Sequence, residues 1–254
     1  ERGADKFMST YYVQYGHKSI GDCGTAIVFV EGISMLAAKA IQDSKLYNGQ
    51  EASTRYIDFA QQPFHNPDES TTGEEILETW RRFYLEAVAA MKEALPDRFP
   101  QGAEEKDTSY QKAIAARAFD ITRGFLPAGA STNIAWSSTL RQFGDRIQEL
   151  RHHPLAEVRE ISAVLEDAMI ATHPSSFNAE KKRYEATEQY LATTATQYYY
   201  HNSDTPDLAL VHDGIDRTAL TAYRELLANR PPKTELPKWL GAYGTSSFAF
   251  TLDF

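Results

Sequence analysis

The chain has 254 residues, a formal net charge of −9 and 42% hydrophobic residues, which is enough apolar material for one large domain or two small ones. The acidic balance argues against broad binding to nucleic acid or to an anionic membrane, although a local arginine cluster could still bind a small anion. One cysteine, Cys23, excludes an internal disulfide, and we find neither a membrane-spanning apolar run nor a secretory leader. We therefore expect a cytoplasmic protein.

The N-terminal part of the chain predicts a strand, a helix and a second strand. Residues 26–30 form a short, continuous, β-branched apolar run that is typical of a buried strand. Ser34 can cap a helix that runs to about Lys45. Residues 56–59 follow a polar stretch and predict the second strand.

Long helices are predicted for most of the remaining chain. Thr72 and Glu75 form a capping box at the start of an amphipathic helix, and its apolar stripe is expected in the core. The stripe consists of Ile76, Trp80, Phe83, Tyr84, Ala87 and Met91. Further helices are predicted at 108–123, 136–150, 155–170, 179–200 and 216–229. A final strand is predicted at 247–252.

The C-terminal segment resembles the start of the first strand. Gly244-Thr245 precedes the last strand as Gly24-Thr25 precedes the first, and a proline-rich linker lies before it. Two interpretations stay open: a strand that closes a single domain, or a repeat. In the second, residues 1–230 form one domain, and residues 231–254 are a linker and the first strand of a second copy.

A polar stretch near residue 50 is the strongest candidate for a binding site. Glu51, Ser53 and Arg55 alternate in sequence, so an extended backbone would place their side chains on one face. A carboxylate, a hydroxyl and a guanidinium together suit an anionic, hydrogen-bonding ligand such as a nucleotide. The alternative is an edge strand with a solvated polar face.

Two blocks of sequence resemble the flavin-dependent thymidylate synthase family, ThyX. The first block comprises Tyr15-Gly16-His17-Lys18-Ser19-Ile20, Val30-Glu31-Gly32-Ile33-Ser34 and Glu51-Ala52-Ser53-Thr54-Arg55-Tyr56. The second comprises Arg123-Gly124-Phe125-Leu126-Pro127, Trp136, Leu140-Arg141, Leu150-Arg151 and Ala156-Glu157. The blocks are collinear with the family motifs over about residues 11–175.

The resemblance implies an α/β (α+β) fold, with a central, mainly antiparallel sheet flanked by long helices. It also implies reductive methylation at C5 of a pyrimidine nucleotide, dUMP or UMP. Methylenetetrahydrofolate would donate the carbon and NADPH-reduced FAD the hydride, so that positioning and electrostatics dominate catalysis. ThyX-like enzymes share their active sites between subunits, which implies a homo-oligomer or a second ThyX-like domain as partner.

The resemblance also implies roles for individual residues. Substrate binding falls to Glu51, Ser53, Arg55, Arg123 and Arg151, and FAD binding to His17, Ser19, Gln50, Glu51 and Arg141. Arg151 is in addition the catalytic candidate, because it would stabilise negative charge on the pyrimidine ring. The alternative for Arg151 is a cation placed favourably at a helix C-terminus. No metal site is predicted, since His152, His153 and His173 lack a carboxylate or cysteine at ligand spacing.

The chain departs from the family where the ThyX signature has Arg-His-Arg. Asp43-Ser44-Lys45 stands there instead, and an acid beside a phosphate would repel it. Thr139 likewise replaces the family's asparagine. Two explanations stay open. Another ThyX-like copy could supply the missing groups, or the chain could be a non-catalytic structural or interaction domain of a ThyX-like assembly.

Overall fold

The computed structural model describes residues 3, 6, 18–177, 183–199 and 208–251. The chain divides into two compact units, with Tyr199 as the last residue of the first unit. The first unit combines an antiparallel three-stranded sheet with long helices, which confirms the expected mixed fold. Its strands are β1 (Thr25–Ser34), β2 (Gly49–Glu51) and β3 (Ser131–Thr139), in the order β1-β3-β2.

The central strand β3 corrects a prediction. Trp136 was expected to begin a helix, but it pairs with Val28 of β1 and Gly49 of β2. Every second residue of β3 from Thr132 onward is buried, as in a strand with one covered face. The strand predicted at 56–59 is also wrong: Thr54–Tyr56 forms a 3₁₀ turn, and the chain then enters a loop.

The helices of the first unit lie between the strands and after the last strand in sequence. They are α1 (Met35–Gln42), α2 (Thr71–Arg98), α3 (Asp107–Thr122), α4 (Leu140–Leu150), α5 (Ala156–Thr172) and α6 (Glu185–Tyr199). Ser34 caps α1 as predicted, because its hydroxyl accepts a hydrogen bond from the Ala37 N–H at 2.9 Å. The helix predicted at 179–200 falls partly outside the described residues.

The main core lies where α1, α4 and α5 cover one face of the sheet. Ile41 of α1 and Phe143 of α4 are fully buried there, and Val158 of α5 joins them. Trp136 projects from β3 into the same cluster, with its ring centre 4.3 Å from that of Phe143. Burial of these large side chains fixes the three helices against the sheet.

Helix α2 begins two residues earlier than predicted and buries only part of the predicted stripe. Ser70, not Thr72, is the N-cap, and its hydroxyl accepts from the Gly73 N–H at 2.9 Å. Of the predicted stripe only Tyr84 is buried, whereas Trp80 and Phe83 are 44% and 46% exposed. The residues of α2 that pack in the cores with α3 include Tyr84 and Met91 of the predicted stripe. The others lie beside it, at Leu77, Val88 and Leu95.

The second unit is built on an antiparallel pair of strands. These are β4 (Leu208–Asp213) and β5 (Ser246–Phe250), with Leu208 opposite Phe250. Between them lie α7 (Arg217–Leu220) and α8 (Arg224–Ala228), so the helix predicted at 216–229 is interrupted. Strand β5 pairs with β4, and the boundary between the compact units lies near residue 200. The division of the chain into domains at residue 230 stays a prediction.

Both units contain the same short arrangement ahead of a strand. A six-residue 3₁₀ helix, Lys18–Cys23, leads through Gly24 into β1, and another, Lys238–Tyr243, leads through Gly244-Thr245 into β5. The spacing Lys-x-x-Gly-x-x-Gly-Thr is identical in the two places. Whether the second occurrence begins another copy of the fold stays a prediction. None of the helices described here combines the length and apolar character needed to cross a bilayer.

Candidate functional site

The residues after β2 form an exposed arginine face together with the end of α3. We use this name for Ser53, Arg55, Asp120 and Arg123. Strand β2 ends at Glu51, so Arg55 lies in a 3₁₀ turn and not in the extended backbone that the sequence predicted. Its Nη2 lies 2.7 and 2.6 Å from the two carboxylate oxygens of Asp120, and its Nε lies 3.0 Å from Oδ1. This hydrogen bonding raises the pKa of Arg55.

Arg123 lies on the same face as Asp120, one helical turn further along. It begins the 3₁₀ helix Arg123–Phe125, directly after α3, and residues three apart on a helix are neighbours about 5–6 Å apart at Cβ. Arg123 is exposed, and within the described residues no hydrogen bond or ion pair engages its guanidinium. Arg55 and Arg123 are both exposed, and Asp120, the partner of Arg55, precedes Arg123 by three residues.

The side chains of Ser53 and Glu51 have different surroundings. Ser53 is exposed beside Arg55, and its hydroxyl does not cap the following turn. Glu51 is half-buried and turns toward α1, where its Oε2 accepts a hydrogen bond from Nε2 of Gln42 at 2.9 Å. Gln50 is exposed, as expected for alternating positions of a strand. Of the predicted polar trio, only Ser53 and Arg55 therefore belong to the arginine face.

Arg151 lies in a different, mostly buried network. Its side chain is 18% exposed, its Nη2 lies 2.9 Å from each oxygen of Glu166, and its Nη1 lies 3.2 Å from Glu188. His152 reaches the same Glu188 at 3.0 Å. These contacts tie the end of α4 to α5 and α6. The geometry favours the interpretation of Arg151 as a helix-terminal structural cation over the catalytic one.

The residues predicted to bind FAD are only partly brought together. Nη1 of Arg141 lies 2.9 Å from Asp22, and Asp145 is 4.0 Å from its Nε, so its charge is already opposed within the chain. Ser19 is exposed in the 3₁₀ helix Lys18–Cys23. His17 lies outside the described residues. The side chains of Arg141 and Asp22 are 42% and 44% exposed, so an incoming pyrophosphate can compete with Asp22 for Arg141.

Asp43, at the position of the family's first arginine, is held by α6. Its Oδ2 accepts a hydrogen bond from the hydroxyl of Tyr198 at 2.9 Å, which together with burial raises the pKa of Tyr198. The ring of neighbouring Tyr199 packs edge-on against His153 at 4.4 Å. Burial, followed by the charges of Arg146 and Arg159, lowers the pKa of His153.

A small open cavity of about 60 Å³ lies beside this segment. It is lined by Ser44, Leu46, Trp136, Ser138, Gln142, Arg146 and Glu149. Arg146 is buried, donates to the Ala40 carbonyl and pairs with Glu149 at 2.7 Å. Pockets for ligands of drug size span roughly 300–1,000 Å³. Among the described residues, this small volume and the acid at Asp43 do not fit a flavin held at this segment.

The sequence did not identify two residues of this region. Asp120, which binds Arg55 across 65 positions of sequence, lies in an ordinary helix without a local motif. Tyr56 is 89% exposed beside Arg55. The position of Tyr56 directly after the polar stretch indicated that it could be exposed. Nothing in the sequence indicated that Asp120 pairs with Arg55. Among the residues described, no cluster of three or more His, Cys, Asp or Glu side chains could hold a metal ion.

Comparison with known proteins places these features in a family. The family profile described as thymidylate synthase complementing protein matches residues 2–175. A UPF0159 protein of Chlamydia muridarum is 28% identical over 173 residues, covering 63% of this chain and 32% of the relative. A UPF0159 protein of Chlamydia pneumoniae is 28% identical over 177 residues, with the same shares. A third, from Thermoplasma acidophilum, is 22% identical over 207 residues, covering 68% of this chain and 42% of the relative.

The chain matches only about a third of the length of the two chlamydial relatives. The family match, by contrast, extends over more than half of this chain and contains the sheet, helices α1 to α5 and the arginine face. The chain therefore belongs to the thymidylate synthase complementing protein family, also called ThyX.

Proposed function

We propose that this chain is a ThyX-like domain that takes part in C5-methylation of a pyrimidine nucleotide, dUMP or UMP, and binds the nucleotide phosphate on its arginine face. The observation that carries the proposal is the ion pair between exposed Arg55 and Asp120, three residues before the exposed Arg123, with the exposed Ser53 two residues before Arg55. Family membership supports the reaction class. Forked guanidinium groups suit a phosphate because they donate two parallel hydrogen bonds.

On this proposal the chain contributes binding and orientation. Arg123 offers a guanidinium that is not engaged by the residues described, Arg55 offers a second, and Ser53 offers a hydroxyl donor. Together they hold the phosphate end and so fix where the pyrimidine ring lies, which is how positioning lowers a barrier. Methylenetetrahydrofolate and NADPH are the co-substrates implied by the family, and FAD is its cofactor.

The groups that hold FAD come, in this proposal, from another ThyX-like copy. The acid at Asp43, which is bonded to Tyr198, supports this division of labour. The recurrence of the Lys-x-x-Gly-x-x-Gly-Thr arrangement in the second unit is consistent with a further copy. The aligned region also occupies only 32% of the chlamydial relatives, which leaves room in those proteins for more than one such domain.

A non-catalytic structural or interaction domain is the second candidate function. It is favoured by one specific observation: Arg55, Arg141 and Arg151 each pair with carboxylates of the same chain. If those pairs persist in solution, three of the four predicted arginines serve the fold. Arg123 alone would then remain available, which is too little to hold a nucleotide.

Titration calorimetry with UMP and dUMP tests the proposal. We expect millimolar to micromolar binding by the chain and a loss of at least about tenfold for Arg123→Ala, because a charged hydrogen bond contributes about 1.5–3 kcal/mol. Arg98→Ala is the matched control, since Arg98 is an exposed arginine at the other end of the paired helices α2 and α3. Equal loss in both variants would point to non-specific attraction, and absence of binding would favour the structural domain.

Flavin binding separates the two candidates further. Purified chain mixed with FAD should show little change in flavin absorbance or fluorescence when it is alone. Addition of a ThyX protein that carries Arg-His-Arg should produce a mixed complex if the shared site forms. Tight FAD binding by the isolated chain would contradict the division of labour that we propose.

A further inference from the structure

We propose that Asp120 is a built-in competitor for the nucleotide phosphate: its carboxylate occupies the guanidinium of Arg55 and must be displaced before a phosphate can bind there. This inference rests on the proposed function, and it assigns to Asp120 the role of an affinity-determining residue for the same site. It adds a residue that neither the sequence motifs nor the family match identifies.

The geometry of the pair resembles the recognition of an anion by arginine. Two nitrogens of Arg55 donate to Asp120, at 2.6–3.0 Å, which is a fork geometry that a phosphate would also use. A carboxylate and a phosphate present oxygens of similar spacing and sign. The Asp120 carboxylate therefore stands where two phosphate oxygens would lie.

The exposure of the pair makes displacement feasible. The side chains of Arg55 and Asp120 are 48% and 42% exposed. Exposed ion pairs contribute little to stability because solvent screens them and both side chains lose rotamer freedom. By contrast, Arg151 is held by two carboxylates at 18% exposure, so the same exchange would be far more costly there.

The position of Asp120 in its helix supports a role other than helix stability. Helix α3 ends at Thr122, so Asp120 lies in its last turn. A carboxylate there faces the negative end of the helix dipole, which disfavours it. Arg55 compensates this cost in the free protein. When a phosphate takes Arg55, the neighbouring Arg123 is placed to interact with the released carboxylate or with the phosphate itself.

The test compares three ligands on two variants of the full chain. Inorganic phosphate, UMP and uridine are titrated into the wild type, Asp120→Asn and Glu93→Gln. Glu93→Gln removes the same charge from an exposed position of α2, near the end remote from Asp120. Circular dichroism and thermal melting confirm that the variants fold.

We expect Asp120→Asn to bind UMP and phosphate about two- to fivefold more tightly than the wild type, which corresponds to the loss of one exposed competing ion pair. Uridine, which has no phosphate, should show no such gain, and Glu93→Gln should behave like the wild type. The double variant Arg55→Ala, Asp120→Asn should bind UMP and phosphate no more tightly than Arg55→Ala alone, because the competition acts through Arg55.

The other outcomes contradict either the competitor role of Asp120 alone or the proposed phosphate site as well. If the wild type binds UMP but Asp120→Asn binds it equally or more weakly, the competitor role of Asp120 is overturned while the proposed function stands. An equal gain in Glu93→Gln would reduce the effect to net charge and would also overturn it. If neither the wild type nor Asp120→Asn binds UMP or phosphate, both the inference and the proposed phosphate site fail.

Discussion

Tyr198 donates a hydrogen bond from its hydroxyl to Oδ2 of Asp43 at 2.9 Å, across 155 positions of sequence. The contact joins the end of α6 to the residue that follows α1. The sequence resemblance predicts that Asp43 stands where ThyX signatures carry an arginine for phosphate. In this chain the position has a structural partner of its own. An exposed acid with such a partner has consequences for stability that can be measured.

Replacement of Asp43 by arginine should destabilise the fold moderately. The substitution removes the acceptor of Tyr198 and adds a cation to a region that already contains Arg146. We expect a loss of about 1–2 kcal/mol, seen as a melting temperature lower by roughly 2–8 °C. Asp43→Asn keeps an acceptor and should lose less. An unchanged melting temperature for Asp43→Arg would show that the Tyr198 contact contributes nothing.

Replacement of Arg151 by alanine should destabilise the fold strongly. It would remove one cation from each of Glu166 and Glu188, both about three-quarters buried, and leave them Arg183 and His152 as partners. The expected loss in the free energy of unfolding is about 1.5–3 kcal/mol in urea denaturation, because each carboxylate loses a charged hydrogen-bond donor at low exposure.

Arg183→Ala is the control for Arg151, since Arg183 also binds Glu166 at 2.7 Å but is 55% exposed. Its loss should stay below about 1 kcal/mol. Normal stability of Arg151→Ala together with abolished nucleotide binding would restore the catalytic interpretation of Arg151.

Acidification should weaken the fold through His153. Its pKa is lowered by burial and then by Arg146 and Arg159, so the folded state holds fewer protons on this group than the unfolded chain does. Neutral His153 therefore contributes fully to the free energy of unfolding above the ordinary pKa of 6.5. That contribution is lost as the pH falls from 6.5 through the lowered pKa of the folded state.

Urea denaturation at pH 7.5 and 5.5 measures this effect. The fall in unfolding free energy between the two pH values should be smaller in His153→Asn, which keeps an acceptor near the Leu155 N–H but cannot be protonated. His173→Asn controls for loss of an imidazole elsewhere in the unit. An identical fall in the wild type and His153→Asn would refute the linkage.

Gly49→Ala should disrupt the pairing of β2 with β3. A Cβ at this position would collide with the carbonyl oxygen of Ala135 and with the ring of Tyr47. Backbone cannot yield as a flexible side chain does, so we expect a loss of about 1–3 kcal/mol in urea denaturation. Gly102→Ala, whose Cβ would meet its nearest neighbour at 3.7 Å, is the control and should be tolerated. Equal stability of the two variants would mean that β2 can shift away from β3.

Local signals were enough to predict several elements from sequence. The strand around residues 26–30 and the helix capped by Ser34 are confirmed, because β-branched runs and N-cap hydroxyls act through neighbouring residues. The predicted burial of that strand is wrong, since β1 lies at the edge of the sheet and Ile27 and Phe29 are 65% and 71% exposed. The family motifs were also readable, since they lie in collinear order over the region that the family profile matches. The exposed arginine Arg123 followed from the same motifs.

The sequence did not show which of two equivalent local patterns the fold would use. In helix α2, only contact with α3 selects Tyr84 and Leu95 for burial over Trp80 and Phe83. Trp136 could begin a helix by its spacing, but pairing with β1 and β2 makes it the centre of the sheet. Tertiary packing overrides local preference in both places.

The sequence by itself determined the family, the mixed α/β class and the residue types available for binding an anion. Only the tertiary structure decided which of those residues already hold a carboxylate partner. It pairs Arg151 with Glu166 and Glu188, Arg141 with Asp22, and Arg55 with Asp120. The physical reason is that a charge is neutralised by whichever opposite charge the fold brings within a few ångströms, and that distance is not encoded in sequence separation.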